Sequence, residues 1–442
     1  MEFKAFKDAA FKEALSLGCD AAEVYFTESE DFSVNVQNGE LENYSVEHDF
    51  GVNFRVKVDG KDGFAYTELL DDPKPLVMKA IDNARAVETG EEQPMQGPCE
   101  YDKPEAPKSK ASSMTPEEKI AYATELEKKL LAADESVKRT YYSCIQTVKH
   151  RVKLYNTLGL EAESEGELTA SIAAPILVKN GESHSGFSIK SGDEVFDTDA
   201  MVKESLEKAL EQFGASPVDS GEYHVIIRRE AMRDMLAAFF PMFSADMAQK
   251  GMSLFAGKEG ETVAAECVSI IDDPLRPENP RAFDAEGVPS VTSRVIDRGR
   301  LVTLLHNLKT AGKAGVASTS NAGRRASGPV GIAPSNFYME AGKTDYDELV
   351  KKLDRGLIIF ELGGLHAGLN PVSGDFSLIA KGLLVENGAA VRSVDQITVA
   401  GNFIEMLRSV EQIGSDIEFG VPFGGCYGAP SVRVKKLGVS GK

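Results

Sequence analysis

Apolar residues near the start of the chain recur at helical spacing and then change to alternation. Over residues 3–17 they return at every third or fourth position, and Gly18 follows where a helix would end, so an amphipathic helix is predicted there. Beyond residue 30, apolar and polar residues alternate up to Asn38-Gly39 and again up to Asp59-Gly60. Both dipeptides favour tight hairpin turns because their residues tolerate positive φ. The pattern predicts an antiparallel meander, followed by a helix over residues 74–87.

The hydrophobic period is lost in residues 91–113, which contain four prolines. This composition predicts an exposed connector. A new unit then begins at Thr115, which is followed by Pro116 and, three residues after the cap, by Glu118. These residues form a capping box with proline at the first helical position, so a helix is predicted to start here.

Strand-like runs occupy residues 136–190, with a turn expected at Asn180-Gly181, and a charged helix follows that ends at Gly214. A second change of composition, at residues 215–222, marks another boundary. The predicted organisation is an N-terminal α+β domain over 1–218, with subregions 1–90 and 114–214 joined by the connector 91–113, and a C-terminal domain over 219–442.

The C-terminal domain reads mostly as strand. A helix starting near residue 229 should break at Pro241, and Ser244 should cap a short second helix. Helices are also predicted over 344–354 and 401–412. The predicted strands lie at 262–271, 293–305, 356–364, 376–391 and 430–439. Because strands and helices do not alternate regularly, the predicted fold class is α+β with a β-rich C-terminal domain, rather than a doubly wound α/β sheet.

The charge balance narrows the function classes. Lys and Arg total 49 against 69 for Asp and Glu, which gives a formal net charge of -20. Such a surface repels the phosphates of nucleic acids and anionic lipid headgroups, so neither direct nucleic acid binding nor membrane binding is expected. No basic leader followed by an apolar run precedes the first helix, and no segment approaches the length of a membrane span. A soluble, cytoplasmic protein is therefore expected.

Cysteine and histidine spacing disfavours a metal centre built from this chain alone. The five cysteines are far apart without a CxxC pair, so we expect reduced, mostly buried thiols. No two of the six histidines share a helix at metal-ligand spacing. GxSxG, Walker and GxGxxG signatures are also absent.

Each of two glycine-rich loops has two possible interpretations. The loop over 363–377 is either a sharp connection between strands or a groove lined by His366, Asn370 and Asp375. The loop over 315–331 carries Arg324 and Arg325, which are either a solvated pair or a fork that holds a carboxylate of a peptide or of a partner subunit.

The segment Arg-Arg-Glu-Ala-Met-Arg-Asp, residues 228–234, begins a helix with an unusual charge pattern. Glu230 and Asp234 share one face and offer oxygens to a hard cation. Arg229 and Arg233 oppose this, and Glu230 is instead expected to pair with Arg233 at a spacing of three. An ordinary charged helix start is therefore favoured over a metal site. Two arginines at the positive end of a helix dipole are either solvated or indicate an anionic partner.

Four long blocks in a consistent order resemble the TldD/PmbA family, also called modulators of DNA gyrase. They are SLFAGKEGETVAAECVSIIDDP, FDAEGVPSVTSRVIDRGRLV, GLHAGLNPVSGDFSLIAKGLLVENG and ITVAGNFIEMLRSVEQIGSDIEFG. The resemblance extends over essentially the whole chain. Its wordings NPVSGDFS and VAGNFIEML are similar to the PmbA type, which is also called TldE.

The resemblance implies a specific difference at the helix near residue 229. TldD-type chains carry a His-Glu-x-x-x-His motif there, with a further C-terminal cysteine, and are metallopeptidases, whereas PmbA-type chains lack the motif. In this sequence the motif falls on Arg229, Glu230 and Asp234, so the glutamate is kept and both histidines are replaced. The cysteine position falls near Asp416, and Cys426 lies too close to the final strand to be its equivalent.

The resemblance further implies a heterodimer in which a TldD-type subunit holds the metal and the PmbA-type subunit completes a chamber that cleaves unfolded peptides. The family is linked to the trimming of peptide precursors such as microcins and to the turnover of antitoxin peptides. We therefore expect a non-catalytic subunit without its own cofactor, with zinc or another divalent metal in the partner. The alternatives are a self-sufficient metallopeptidase with an atypical site at Glu230 and Asp234, or a homodimeric peptide-binding scaffold.

Overall fold

A computed structural model describes residues 1–87, 93–102, 110–192, 195–422 and 424–442. Its α-helices are α1 Phe3–Ser16, α2 Lys74–Ala86, α3 Pro116–Ala132, α4 Thr198–Leu210, α5 Arg229–Ala238, α6 Ala245–Gln249, α7 Leu308–Ala314, α8 Tyr346–Leu353 and α9 Phe403–Arg408. Short 3-10 helices occupy Ala111–Ser113 and Phe240–Phe243. None of the helices in these ranges is long and apolar enough to cross a membrane.

The strands are β1 Ala21–Gln37, β2 Glu40–Val58, β3 Lys61–Thr67, β4 Val137–Asn156, β5 Glu161–Lys179, β6 Glu182–Ser185, β7 Ser188–Gly192, β8 Gly221–Ile227, β9 Ile270–Asp272, β10 Ser293–Asp297, β11 Arg300–Leu301, β12 Ala322–Gly323, β13 Gly331–Ile332, β14 Asn336–Met339, β15 Gly356–Gly363, β16 Asp375–Glu386, β17 Ala389–Asn402, β18 Val410–Ile413, β19 Glu418–Phe419, β20 Cys426–Ala429 and β21 Val432–Ser440.

The N-terminal half is built on one seven-stranded antiparallel sheet. Its order is β3-β2-β1-β4-β5-β6, and β7 also pairs with β5. Strand β1 pairs with β4 from Glu23 opposite Asn156 to Asn35 opposite Cys144, so the two predicted subregions share a sheet. The hairpin turns predicted at residues 38, 59 and 180 are confirmed, with φ of 56°, 51° and 51°. Helices α1 and α2 bury apolar faces on one part of this sheet, and α3 and α4 on another.

The C-terminal half contains two six-stranded sheets and one two-stranded sheet. The first has the order β17-β16-β15-β8-β21-β18, and an additional β17–β21 pairing closes five of its strands into a ring. The second has the order β11-β10-β9-β14-β20-β19. A single large apolar core, which includes Met235 of α5, Phe337 and Phe403, joins them. The predicted α+β class with a β-rich C-terminal domain is confirmed.

Several predicted element bounds require correction. The apolar run 262–271 forms a strand only at its end, in β9. The helix predicted over 401–412 ends at Arg408, because Val410 onwards pairs with β21 instead. Ser244 lies at the N-cap position of α6, but its side chain makes no capping hydrogen bond. The capping box of Thr115 is present as predicted.

The described part of the connector is packed rather than exposed. Residues 91–92 and 103–109 lie outside the described ranges, but most of 93–102 is half-buried. The Arg55 guanidinium donates to the carbonyl of Gln93, and the Tyr101 hydroxyl donates to the carbonyl of Gly287 at 2.8 Å. The prediction of an exposed connector is therefore wrong for these residues. A buried irregular segment needs hydrogen-bond partners for its backbone groups, and Arg55 supplies one to the carbonyl of Gln93.

The cysteines are free, as predicted, but they are not mostly buried. Cys19 and Cys426 are buried, Cys99 and Cys144 are half-buried, and Cys267 is exposed. Burial raises the pKa of the Cys426 thiol to about 12, so this group is a thiol and not a thiolate at neutral pH.

Candidate functional site: a cleft above helix α5

A cleft of about 350 Å³ lies between the N-terminal sheet and the C-terminal domain. Phe187, just before the edge strand β7, and Ile189, within it, form part of one wall. Phe360 and Phe419 form part of the other. The floor is the first turn of helix α5. The cleft therefore combines exposed apolar groups with the charged residues of the segment that the sequence singled out.

Helix α5 presents these charges because of its own periodicity. Strand β8 ends at Ile227, and Arg228 is still extended, with φ -68° and ψ 151°. Within the helix, Ala231, Met232, Met235 and Leu236 are buried, as the spacing of one helix face requires. The remaining face carries Glu230, Arg233 and Asp234 into the cleft, so the prediction that Glu230 and Asp234 share a face is confirmed.

Glu230 is held by cations of its own chain. Its carboxylate lies 3.1 Å from Nε of Arg228 and 3.2 Å from Nζ of Lys208, and only 15% of its side chain is exposed. Burial alone would raise the pKa of this carboxyl, but the charges of Arg228, Lys208 and Arg229 outweigh burial and hold the pKa below its ordinary value. The predicted Glu230–Arg233 pair is wrong, because Arg233 turns to Glu418 at 3.3 Å and to Asp234 at 3.0 Å.

Arg228 has its anionic partners within the chain. Its Nη1 lies 2.9 Å from the Glu211 carboxylate, and its guanidinium lies 4.8 Å from the centre of the Phe360 ring. The two arginines at the helix start indicated an anionic partner as one of two alternatives. For Arg228 this partner belongs to the same chain. The Arg228 side chain is 14% exposed, so it is not simply solvated.

Arg229 lies between the carboxylates of three residues. Its Nε lies 2.9 Å from Glu418 and 4.0 Å from Glu230, and its Nη1 lies 4.0 Å from Asp416. Asp416 is fixed in turn by Ser431, whose backbone N–H and hydroxyl donate to the two carboxylate oxygens at 3.0 and 2.7 Å. The residue that the resemblance aligned with a family cysteine thus lies beside the residue aligned with a family histidine.

This arrangement does not fit a divalent metal ion. A guanidinium cannot ligate a metal, and Arg229 already places a positive charge between the carboxylates that would have to do so. Within the ranges that the structure describes, no group of three or more His, Cys, Asp or Glu side chains is placed to hold a metal.

The candidate residues of the loop over 363–377 do not line this cleft. Asn370 accepts hydrogen bonds from the backbone N–H groups of Val372 and Ser373, and Asp375 accepts from Ser373 and Asn402. The hydrogen bonds from Asn402 and Ser373 lower the pKa of Asp375. These two side chains organise a tight connection, and His366 is exposed beside them. Whether His366, Asn370 or Asp375 meets a peptide or a partner stays a prediction.

Both alternatives for the Arg324–Arg325 pair placed it at the surface, and Arg324 requires correction. Its Nη2 lies 3.0 Å from Glu23 of β1, both side chains are at most 2% exposed, and its guanidinium stacks over the Tyr25 ring at 4.0 Å. The carboxylate that it holds belongs to the N-terminal sheet of the same chain, so the residue joins the two domains. Arg325 is exposed.

Sequence reasoning missed four residues that contact the start of α5, namely Lys208, Glu211, Glu418 and Ser431. Each lies at least 17 residues from the residue it contacts in that segment, and none belongs to a local pattern with it. Only Asp416 had a signal, through the resemblance.

Comparison with known proteins finds family matches along most of the chain. Profiles of the PmbA/TldA metallopeptidase family match residues 22–88 as domain 1, 109–213 as the central domain and 220–441 as the C-terminal domain. A metalloprotease from Methanothermobacter thermautotrophicus is 26% identical over 92% of this chain and 93% of its own. The metalloprotease PmbA of Escherichia coli O157:H7 is 23% identical over 90% and 88%.

Two solved structures extend the comparison. A proposed modulator of a DNA gyrase from Thermotoga maritima superposes with a TM-score of 0.91 at 34% identity, covering 99% of this chain and 100% of that chain. TldE from Thermococcus kodakarensis has a TM-score of 0.89, and its 21% identity shows a shared fold only. With profiles covering all three domains and a relative at 34% identity over the full length, the chain belongs to the PmbA/TldD metallopeptidase family.

Proposed function

We propose that this protein is a non-catalytic, PmbA/TldE-like subunit of a cytoplasmic metallopeptidase complex that processes or degrades peptides. The observation that carries the proposal is the Arg229 guanidinium, which lies 2.9 Å from Glu418 where a metal-binding family member has a histidine. A TldD-type partner would supply the metal, zinc or another divalent ion, and the hydrolytic step.

The cleft supports a role in holding an extended peptide. Strand β7 lies on one wall, and β19 lies on the other as the last strand of its sheet. Among the described residues β19 pairs only with β20, and β7 only with β5. Unpaired strand edges bind extended chains through main-chain hydrogen bonds, with little dependence on sequence. The exposed Phe187 and Ile189 would add apolar contacts.

A reconstitution experiment tests the division of labour. The purified protein should not cleave an unfolded test peptide, and a mixture with a TldD-type chain should. Changing the glutamate of the partner's His-Glu-x-x-x-His motif to glutamine should abolish cleavage by the mixture, although Glu230 of this chain is intact. Chelator-sensitive cleavage by this chain alone would refute the proposal and favour the self-sufficient metallopeptidase.

Purification from native lysate separates the remaining alternative. Recovery with a chain that carries an intact His-Glu-x-x-x-His motif supports the heterodimer. Recovery as a single species containing two copies of this chain favours the homodimeric peptide-binding scaffold.

A further inference from the structure

The three carboxylates around Arg229 come from two separate parts of the chain. Glu230 belongs to helix α5. Asp416 lies just before β19 and Glu418 lies within it, nearly two hundred residues later. Their side chains are 15%, 13% and 27% exposed. Partly buried carboxylates repel one another, so this convergence requires a cation near its centre.

The cation that all three carboxylates approach is the side chain of Arg229. Glu230 also lies beside Arg228 and Lys208, and Glu418 lies beside Arg233. Burial alone would lower the pKa of Arg229, but Glu418, Glu230 and Asp416 outweigh it and raise the pKa above its ordinary value. A guanidinium stays charged at any physiological pH. Among the described residues the Nε of Arg229 forms no hydrogen bond, so its contact with Glu418 at 2.9 Å is an ion pair. Unlike a bound metal, the guanidinium is not removed by chelation or by mild acid.

The backbone adds a second link at the same point. The N–H of Arg229 donates to the Ser431 hydroxyl at 3.1 Å, and that hydroxyl donates to Asp416 at 2.7 Å. Residue 414 must be small here, because a Cβ at Gly414 would lie 2.3 Å from the Asp416 carboxylate. The start of α5 and the segment leading into β19 are therefore built to meet at this point.

We propose that the Arg229 guanidinium is a fixed counter-cation that takes the place of a bound metal ion. It holds Asp416 and Glu418 against the first turn of α5 and thereby positions the β19 edge of the cleft without any metal. Arg229 is a positioning residue in this account. The inference rests on the proposed function in one respect, namely that the native chain does not require a metal.

Thermal unfolding of variants, with EDTA or with millimolar Mn²⁺, tests the inference. Arg229→Gln removes the charge at similar size and should lower Tm by about 2–6 °C, since carboxylates lose their counter-cation. Mn²⁺, a hard cation that accepts oxygen ligands, should restore at least half of that loss. Arg233→Gln is the matched control, because the native Arg233 side chain also contacts Glu418 but not Asp416. The Tm of this variant should not respond to Mn²⁺.

The outcomes separate this inference from the proposed function. If Arg229→Gln leaves Tm unchanged, or lowers it without any response to Mn²⁺, the counter-cation role is wrong. If EDTA lowers the Tm of the native protein, the proposed metal-free function is wrong as well. Should Arg229→Gln fail to fold, Arg229→Lys decides: it keeps a point charge, so a folded protein insensitive to Mn²⁺ supports the role, and an unfolded one overturns it.

Discussion

At the scale of single residues, the burial of the Glu286 carboxyl group makes the stability of the fold depend on pH. Its side chain is buried, and one carboxylate oxygen accepts from the N–H of Leu308 at 2.8 Å. Burial, followed by the charge of Asp284, raises the pKa of Glu286 to about 7. Glu23 acts in the same direction, whereas Arg55 opposes it. In the folded protein this group therefore holds its proton at a pH where the unfolded chain has lost it.

This pKa predicts a decline of stability with rising pH. The unfolded chain releases the proton near its ordinary pKa of 4.5 and the folded protein only near 7, so stability should fall between these values. Glu286→Gln should remove up to about 3 kcal/mol of this decline, because an amide cannot ionise. Urea unfolding at pH 5 and pH 8 measures this change in the free energy of unfolding. Glu405→Gln, a change at an exposed glutamate, is the control. An equally steep decline in the Glu286→Gln variant would contradict the assignment.

At the same scale, the sequence singled out the charged first turn of α5 but not its surroundings. Arg229, Glu230 and Asp234 could be identified because a resemblance fixes positions along one helix. Their ion-pair partners could not be, since Lys208 and Glu418 approach through tertiary packing and share no periodic pattern with α5. The error at Arg324 has the same origin: a Gly/Ser-rich loop looks exposed in sequence even where a neighbouring domain covers it.

At the scale of elements, local signals predicted local structure. The Asn-Gly and Asp-Gly turns and the capping box of Thr115 depend on a few adjacent residues, and all are present. The segments 262–271 and 401–412 were assigned less well, because short apolar runs do not decide between strand, helix and coil without their packing partners. Pairing with β21 is what ends the helix α9 region and creates β18.

The β7 edge gives a prediction about peptide handling. Phe187 is 38% exposed and lines the cleft, so Phe187→Ala should change stability by less than about 0.5 kcal/mol. In the reconstituted complex it should raise KM for an unfolded peptide several-fold while kcat changes little, because apolar contact with bound peptide is lost. Val302→Ala, exposed to 50% away from the cleft, is the control. Unchanged KM in the Phe187→Ala complex would argue against peptide binding at this edge.

At the scale of the whole molecule, the two domains are joined by a buried ion pair next to an apolar cluster. Arg324 pairs with Glu23, and Tyr25 packs with Leu154 and Phe283 across the same boundary. Asn53 of β2 also donates to the carbonyl of Ala326 at 2.9 Å. Nothing in either half of the sequence indicated these contacts, and they fix the walls of the cleft relative to each other.

A double-mutant cycle on Arg324 and Glu23 measures this coupling. Arg324→Met alone should cost about 3–5 kcal/mol, because it leaves Glu23 charged and buried without its partner. The double variant Arg324→Met with Glu23→Gln should lose clearly less, since no uncompensated charge remains. Equilibrium urea unfolding of the native protein, both single variants and the double variant gives the cycle. Additive losses would show that the pair does not couple the domains.

The metal content of the protein, purified without chelator from cells that also supply zinc, tests the central claim most directly. Elemental analysis should find far less than one divalent metal ion per chain, because Arg229 already places a positive charge between Glu230, Asp416 and Glu418. Close to one metal ion per chain, lost together with peptidase activity on dialysis against EDTA, would contradict the account.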